Sequence, residues 1–340
     1  VVWIERYRPR DLSEVVGQDL IVRRLASFAE SGNIPHLLLT GPHGTGKSVA
    51  VECLARRLYG ELWEENTTVL QTGALFLEGK AYLEGEERFA HIYQKEASLI
   101  ANFKYIVKWY ASLQPLNADF KLMVFEEAAD LTFEAQQALR RIMEQFSRTC
   151  RFLYTTTNAS AIIPAIASRC FPLTFSPLPP ALILSQLARI RAAESIPRTR
   201  ITDDDLELVS RSAAGDLRKA IMLLQVLAES RGRTDLSQLA VSETATLASS
   251  CLQFLQAGDL PAAQKTIESL IIDYGLSGSE VLGELSRTVR TVYNDPRLSL
   301  QLAAADLGLT QNGSDFIQIN ALLAQMLEEV FCEKGPGPLR

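Results

Sequence analysis

The sequence predicts an α/β parallel-sheet core, then a small helical domain, then an all-helical C-terminal domain. Three observations predict it. Up to about Pro172, short apolar strand-like runs alternate with helical ones. The proline-rich piece Ser176-Pro177-Leu178-Pro179-Pro180 ends that alternation and reads as a hinge. Beyond it the pattern is helical throughout. At 340 residues the chain is also too long for one compact core, so two or three domains are expected.

In chain order, the strand candidates are His36–Thr40, Thr68–Thr72, Lys121–Phe125, Cys150–Thr155 and Phe171–Phe175. Lys47–Tyr59 reads as a helix because Val51, Leu54, Ala55 and Leu58 fall on one face. After the hinge come Leu182–Ser195, Asp203–Ala213 and Asp216–Arg231, with Asp203 and Asp216 at N-cap positions and Pro197 and Gly215 as stops. Gly232-Arg233-Thr234-Asp235 marks a second junction. The remainder reads as helices over Glu243–Ala257, Leu260–Asp273, Ser277–Tyr293, Arg297–Asp306 and Asp315–Cys332. The predicted domains are therefore 1–175, 176–234 and 235–333, with 334–340 a disordered tail.

Composition narrows the chemistry. The formal charge is −6, which disfavours a generic nucleic-acid binder, so any DNA contact must come from a local patch. No apolar run reaches the roughly 20 residues that span a bilayer, so no membrane partner is expected. The start, Val1-Val2-Trp3-Ile4-Glu5-Arg6, is too briefly apolar and too soon charged for a secretory signal, which predicts an intracellular protein. The five cysteines form no CxxC pair and the three histidines no HExxH-like spacing. A reducing compartment and no metal centre built from these residues follow.

Gly41-Pro42-His43-Gly44-Thr45-Gly46-Lys47-Ser48 matches GxxxxGK[ST] in full, after the apolar run Leu37-Leu38-Leu39 and at the opening of a helix. Glycines let backbone N–H groups turn inward around phosphate oxygens, and the helix N-terminus adds a favourable field. Lys47 is then expected to neutralise the β/γ-phosphates of ATP and Ser48 to hold Mg²⁺. A P-loop kinase or GTPase would share this motif. Lys121-Leu122-Met123-Val124-Phe125-Glu126-Glu127 is an apolar strand ending in two carboxylates. Glu126 suits a metal-bound water and Glu127 the orientation of the attacking water. An acidic helix start favoured by the helix dipole is the plainer alternative.

Several further segments resemble replication factor C small subunits, clamp loaders of the AAA+ class. Trp3-Ile4-Glu5-Arg6-Tyr7-Arg8-Pro9 and Val15-Val16-Gly17-Gln18 are similar to the family's opening, which implies that Tyr7, Arg8, Pro9, Val16 and Gly17 wrap adenine and ribose. Glu127-Ala128, Leu131-Thr132 and Ala135–Glu144 resemble the helix after Walker B. Thr156-Thr157-Asn158 looks like sensor 1, with Asn158 facing the γ-phosphate. Ser168-Arg169-Cys170 resembles the SRC box, which implies that Arg169 is an arginine finger serving a neighbour's ATP. Gly215–Ala220 resembles sensor 2, with Arg218 on phosphate. The all-helical third domain looks like the collar that joins five subunits.

The resemblance thus implies an AAA+ P-loop ATPase core with a helical lid and collar. It implies partners too: the large subunit and other small subunits in a pentameric ring, the sliding clamp (PCNA) and primer–template DNA. Location would be nucleoid-associated cytoplasm in an archaeon and the nucleus in a eukaryote. Two departures stand out. Glu126 replaces the family's Asp, and Gln71-Thr72-Gly73-Ala74-Leu75-Phe76-Leu77 replaces a stretch rich in Asn, Ser, Asp and Arg. Both suggest a divergent, archaeal-type paralogue. Two other functions stay open: an ATP-binding, weakly hydrolysing subunit that donates Arg169, and a AAA+ branch-migration helicase. For DNA, the candidates are Lys104 and Lys108, four apart on one helix face, and Arg140 and Arg141 on another. Solvated faces, with Arg141 paired to Glu144, are the alternative. The interleaved Phe103, Tyr105, Trp109 and Tyr110 are expected to be core.

Overall fold

The computed structural model describes residues 2–230, 243–293, 295–309 and 314–331. The predicted junction at Gly232–Asp235, Cys332 and the tail 334–340 lie outside them. The chain forms two compact units, Val1–Arg233 and Thr234–Arg340, and the three helices after the hinge belong to the first.

The first unit holds a five-stranded, wholly parallel sheet in the order β2-β3-β4-β1-β5. The strands are β1 (His36–Thr40), β2 (Thr67–Gln71), β3 (Lys121–Glu126), β4 (Cys150–Thr156) and β5 (Cys170–Thr174). The central strands are buried on both faces, as parallel strands covered by helices must be. Alternate residues serve opposite sides. Leu38, Met123, Phe125, Phe152 and Tyr154 join one core cluster, whereas Leu37, Leu39, Leu122, Val124 and Leu153 join the other.

The principal helices of this unit are α1 (Trp3–Arg6), α2 (Asp19–Ser31), α3 (Lys47–Tyr59), α4 (Leu99–Ser112), α5 (Phe133–Gln145) and α6 (Pro164–Ala167). After the hinge come α7 (Pro180–Ala193), α8 (Asp203–Ser212) and α9 (Leu217–Glu229). α3 buries Val51, Cys53, Leu54 and Ala55 against the sheet. Four short helices between α3 and α4 were not anticipated: Trp63–Asn66, Thr72–Glu78, Lys80–Gly85 and Glu87–Ala90.

Local chemistry moved some predicted boundaries. Thr72 starts a helix instead of ending β2, because its hydroxyl lies 2.5 and 2.6 Å from the carbonyl oxygens of Glu126 and Glu127. Thr202, not Asp203, caps α8: its side chain accepts the Asp205 N–H, and the Asp205 carboxylate answers in a capping box. Asp216 does cap α9, accepting the Lys219 N–H at 2.9 Å. Phe103 is buried, but Tyr105 is 42% exposed and so stands outside the expected aromatic core.

The second unit is helical in its described residues: α10 (Glu243–Gln256), α11 (Leu260–Ile272), α12 (Gly278–Val292), α13 (Pro296–Leu309) and α14 (Asp315–Met326). Leu252, Ile267, Leu285, Leu298 and Leu323 form its core. Ser277 and Glu280 make a capping box for α12. The last predicted helix changes pitch after Met326 into a π-helical turn over Leu327–Phe331.

His36 gives the sheet of the first unit a pH dependence. Its Nδ1 accepts the Phe152 N–H at 3.0 Å, so the folded ring is neutral there. Burial, and then the Arg151 guanidinium, lower its pKa to about 4. An unfolded chain takes up that proton near pH 6.5, the folded one only near 4, so the unfolded state binds more protons in between. Stability is therefore expected to be unaffected by this group above about pH 6.5 and to fall as the pH drops towards 4. Thermal melts of His36→Gln should lose less between about pH 7 and about pH 4.5 than those of the parent.

Candidate nucleotide-binding site

The C-terminal ends of parallel strands are where α/β sheets hold ligands, because loops and helix N-termini open there. In this sheet the loop after β1, the end of β3 and the end of β4 share one cavity of about 690 Å³. Its lining includes His43, Gly44, Thr45, Gly46, Lys47 and Ser48 from the glycine loop, and Glu126, Glu127 and Asp130 from the end of β3. Thr155, Thr156 and Thr157 come from β4, and Arg218 from α9.

The glycine loop fits a phosphate because of what it leaves out. Gly44 and Gly46 have φ of +65° and +99°, which side-chain-bearing residues rarely adopt. A Cβ on Gly44 would lie 1.7 Å from Asp216 Oδ1, so the loop and the start of α9 close together only around glycine. The Gly44 carbonyl accepts the Leu217 N–H at 3.3 Å, tying the same two segments. Gly41 and Pro42 do not line the cavity. Their carbonyl oxygens instead accept from Lys47 Nζ at 2.7 and 2.6 Å, which places the ammonium at the loop's mouth. Burial, and then the facing Arg218, hold the Lys47 ammonium below the usual lysine range, with Asp216 pulling weakly the other way. Two crowded cations make a site whose electrostatics improve when an anion enters. These observations fit a triphosphate.

The other end is mixed in character. Tyr7, Arg8, Pro9 and Val16 line it, together with Ile4, Leu178, Ile190 and Ile221, which gives a face suited to a flat heterocycle. Arg8 is forked onto Glu52 of α3, its Nε and a terminal nitrogen both 2.9 Å from Oε2. Tyr7 Oη and Arg6 each donate to Glu194, just past α7, at 2.6 Å. The N-terminal segment thus clasps α3 and the end of α7 while lining the cavity. Gly17 lies outside the lining. With φ +73°, it leaves room for Leu178 and Leu182, which a Cβ would meet at 2.5 and 2.7 Å.

The acidic end of β3 is constrained. Glu127 has φ +54°, a left-handed conformation uncommon for a non-glycine residue and typical of strained functional positions. A Cβ on Gly73 would lie 2.7 Å from Glu127 Oε2 and 2.8 Å from Asp130 Oδ2, so glycine there leaves both carboxylates their room. Ser48 and Glu126 are among the oxygen donors of this lining, and their chemistry fits a divalent cation shared with phosphate oxygens. Asp130 shares the lining and was not anticipated. Its only sequence signal was a third acidic residue soon after Glu127.

One expected placement is not met. Asn158 does not reach the cavity: its Oδ1 accepts from Ser160 N at 3.0 Å and Ser160 Oγ at 2.6 Å, capping a short turn. Thr156 and Thr157 line it instead, one step earlier in the chain. The alternative pairing of Arg141 with Glu144 is not among the ion pairs of the described residues. That carboxylate takes Arg169 at 2.5 Å and lies 3.9 Å from Arg140. Arg169, between α6 and β5, also donates to Ala165 O at 2.7 Å and does not line this chain's own cavity. Lys104 of α4 pairs with Glu134 of α5 at 2.7 Å, while Lys108, Arg140 and Arg141 are exposed. Among the described residues no group of three or more His, Cys, Asp or Glu is arranged to hold a metal on its own.

Comparisons with known proteins agree with this geometry. A family model for the DNA polymerase III delta subunit matches residues 17–179, and one for the replication factor C C-terminal domain matches residues 242–325. The replication factor C small subunit of Archaeoglobus fulgidus is 34% identical over 333 residues, covering 96% of this chain and 97% of that protein. Its counterpart in Thermofilum pendens is 35% identical over 340 residues, with 96% of each chain covered. Among solved structures, Aeropyrum pernix ORC1 in complex with DNA superposes with a TM-score of 0.57 at 19% identity, covering 96% of this chain and 86% of that one. A point variant of Thermotoga maritima RuvB reaches a TM-score of 0.50 at 16% identity, covering 84% and 89%. These two likenesses carry the fold alone. With a third of its residues shared along almost its whole length, the chain belongs to the replication factor C small subunit family.

Proposed function

We propose that this chain is an ATP-hydrolysing subunit of a sliding-clamp loader, acting in a ring with a large subunit and other small subunits to place the clamp on primer–template DNA. The single observation that carries the reading is one cavity holding the whole set that phosphoryl transfer needs. Lys47 and Arg218 offer positive charge, Ser48 and Glu126 offer metal donors, and Glu127 offers a carboxylate at the end of β3. Mg²⁺, when bound, would neutralise charge on the phosphate oxygens, with Ser48 and Glu126 holding it. Lys47 and the loop N–H groups would bind the triphosphate, and Glu127 would orient water and accept its proton. Thr156 and Thr157, which line the cavity at the end of β4, would offer polar groups to the terminal phosphate.

Arg169, off this cavity and one-third exposed at its side chain, would complete a neighbour's site in the ring. Residues 176–234 would act as the lid and 235–333 as the collar. The exposed cations of α4 and α5 would follow DNA phosphates without reading sequence. A second reading, an ATP-binding subunit that hydrolyses little, draws on Glu126, whose extra methylene shifts a metal ligand. Relatives of this identity named replication factor C favour the loader over a branch-migration helicase.

The test is co-purification with candidate large and small subunits, followed by ATPase assay with and without clamp and primed DNA. The expected result is a stable complex whose turnover rises several-fold when both are present. A complex that forms but ignores clamp and DNA would overturn the loader reading.

A further inference from the structure

The end of β2 and the residues just after it lie directly against the two carboxylates of β3. Gln71 and Glu126 are register partners at the ends of adjacent strands, and Gln71 Nε2 donates to Glu126 Oε2 within the cavity lining. Thr72, fully buried, has its hydroxyl against the carbonyl oxygens of Glu126 and Glu127. Gly73 leaves the space that Glu127 Oε2 and Asp130 Oδ2 fill. Three consecutive residues on β2 and just after it thus address three features of the acidic end. We propose that Gln71 is a positioning residue for the metal-side carboxylate: its amide occupies Glu126 Oε2 and leaves Oε1 as the oxygen available to a divalent cation.

The physical need comes from side-chain length. Glutamate has one more rotatable bond than aspartate, so an unrestrained Glu126 would spread its carboxylate over several rotamers and lose entropy on binding a cation. An amide N–H on one carboxylate oxygen removes that freedom in advance and leaves the other oxygen as the donor, as outer-sphere partners of metal ligands do. Gln71 is exposed at the strand end, so its replacement leaves the sheet core untouched.

This inference rests on the cavity being an ATP site, and the experiment separates the two. The fluorescent analogue N-methylanthraniloyl-ATP is titrated onto the full chain, first in EDTA and then at fixed analogue with increasing Mg²⁺, for the parent, Gln71→Leu, Glu126→Gln and the double variant. The expected result is metal-free affinity for Gln71→Leu within about twofold of the parent, and a half-saturating Mg²⁺ raised about tenfold. In the Glu126→Gln background the same change should add nothing, because the group it positions is already altered. A Mg²⁺ curve for Gln71→Leu that overlays the parent, or a shift that persists undiminished in the Glu126→Gln background, would overturn the proposal. No uptake of the analogue by the parent, with or without metal, would instead overturn the ATP reading itself.

Discussion

Arg169→Ala is expected to lower turnover at the neighbouring subunit's site by ~10³-fold or more in the assembled ring, while leaving ATP binding by the isolated chain unchanged. The separation follows from where the guanidinium sits. It lies outside this chain's cavity, held by Glu144 at 2.5 Å and by the Ala165 carbonyl at 2.7 Å. Such an ion pair, with both side chains one-third to one-half exposed, is worth little in water. Arg169 can therefore leave Glu144 at small cost when a γ-phosphate is presented across a subunit boundary. Charge developing on the transferred phosphoryl group is where a guanidinium contributes most. The measurement is single-turnover hydrolysis in complexes whose other subunits carry silenced P-loops, leaving active only the site that Arg169 would face. Equal rates for parent and variant would show that Arg169 serves no neighbour.

Lys47→Ala should weaken ATP binding to the same chain by about 10- to 100-fold, the equivalent of one hydrogen-bonded charge. The ammonium is partly buried at the cavity's phosphate end, and its pKa is already lowered by burial and by Arg218. A nearby triphosphate relieves that cost, so the loss on removing the lysine exceeds that of a surface cation. Calorimetry with ATP and Mg²⁺ reads the effect. An unchanged affinity would mean that the loop's N–H groups suffice, and the role assigned to Lys47 would be wrong. On the proposed reading the two variants would report on different sites: Lys47 on its own chain's, Arg169 on the next one's.

Part of this site is legible in the sequence. β1 and α3 fall where their residues predicted, because the glycine loop between them allows one backbone path and the apolar spacing changes period across it. Lys47, Ser48, Glu126 and Glu127 reach the cavity as their spacing implied. Tyr7, Arg8, Val16 and Arg218 also arrive there, but only resemblance pointed to them. Gly17, Gly41 and Pro42 shape the surroundings and stay out of the lining. Asn158, expected to face the cavity, caps the next turn, because a polar amide at a strand end can do so as readily as face a ligand. The strand expected over Thr68–Thr72 runs one residue earlier for a related reason: Thr72 is claimed by carbonyls 54 and 55 residues away.

Period, glycine placement and strand-end carboxylates are local properties, and by themselves they determined the parallel sheet, the phosphate loop and the acidic end of β3. Which side chains meet was decided only by the tertiary structure. Gln71 beside Glu126 and Arg169 on Glu144 join residues 55 and 25 positions apart, and Asp216 against Gly44 joins the glycine loop to a helix beyond the hinge. Contacts at such separation depend on strand order and on a left-handed residue at Glu127, and neither leaves a periodic trace in the chain.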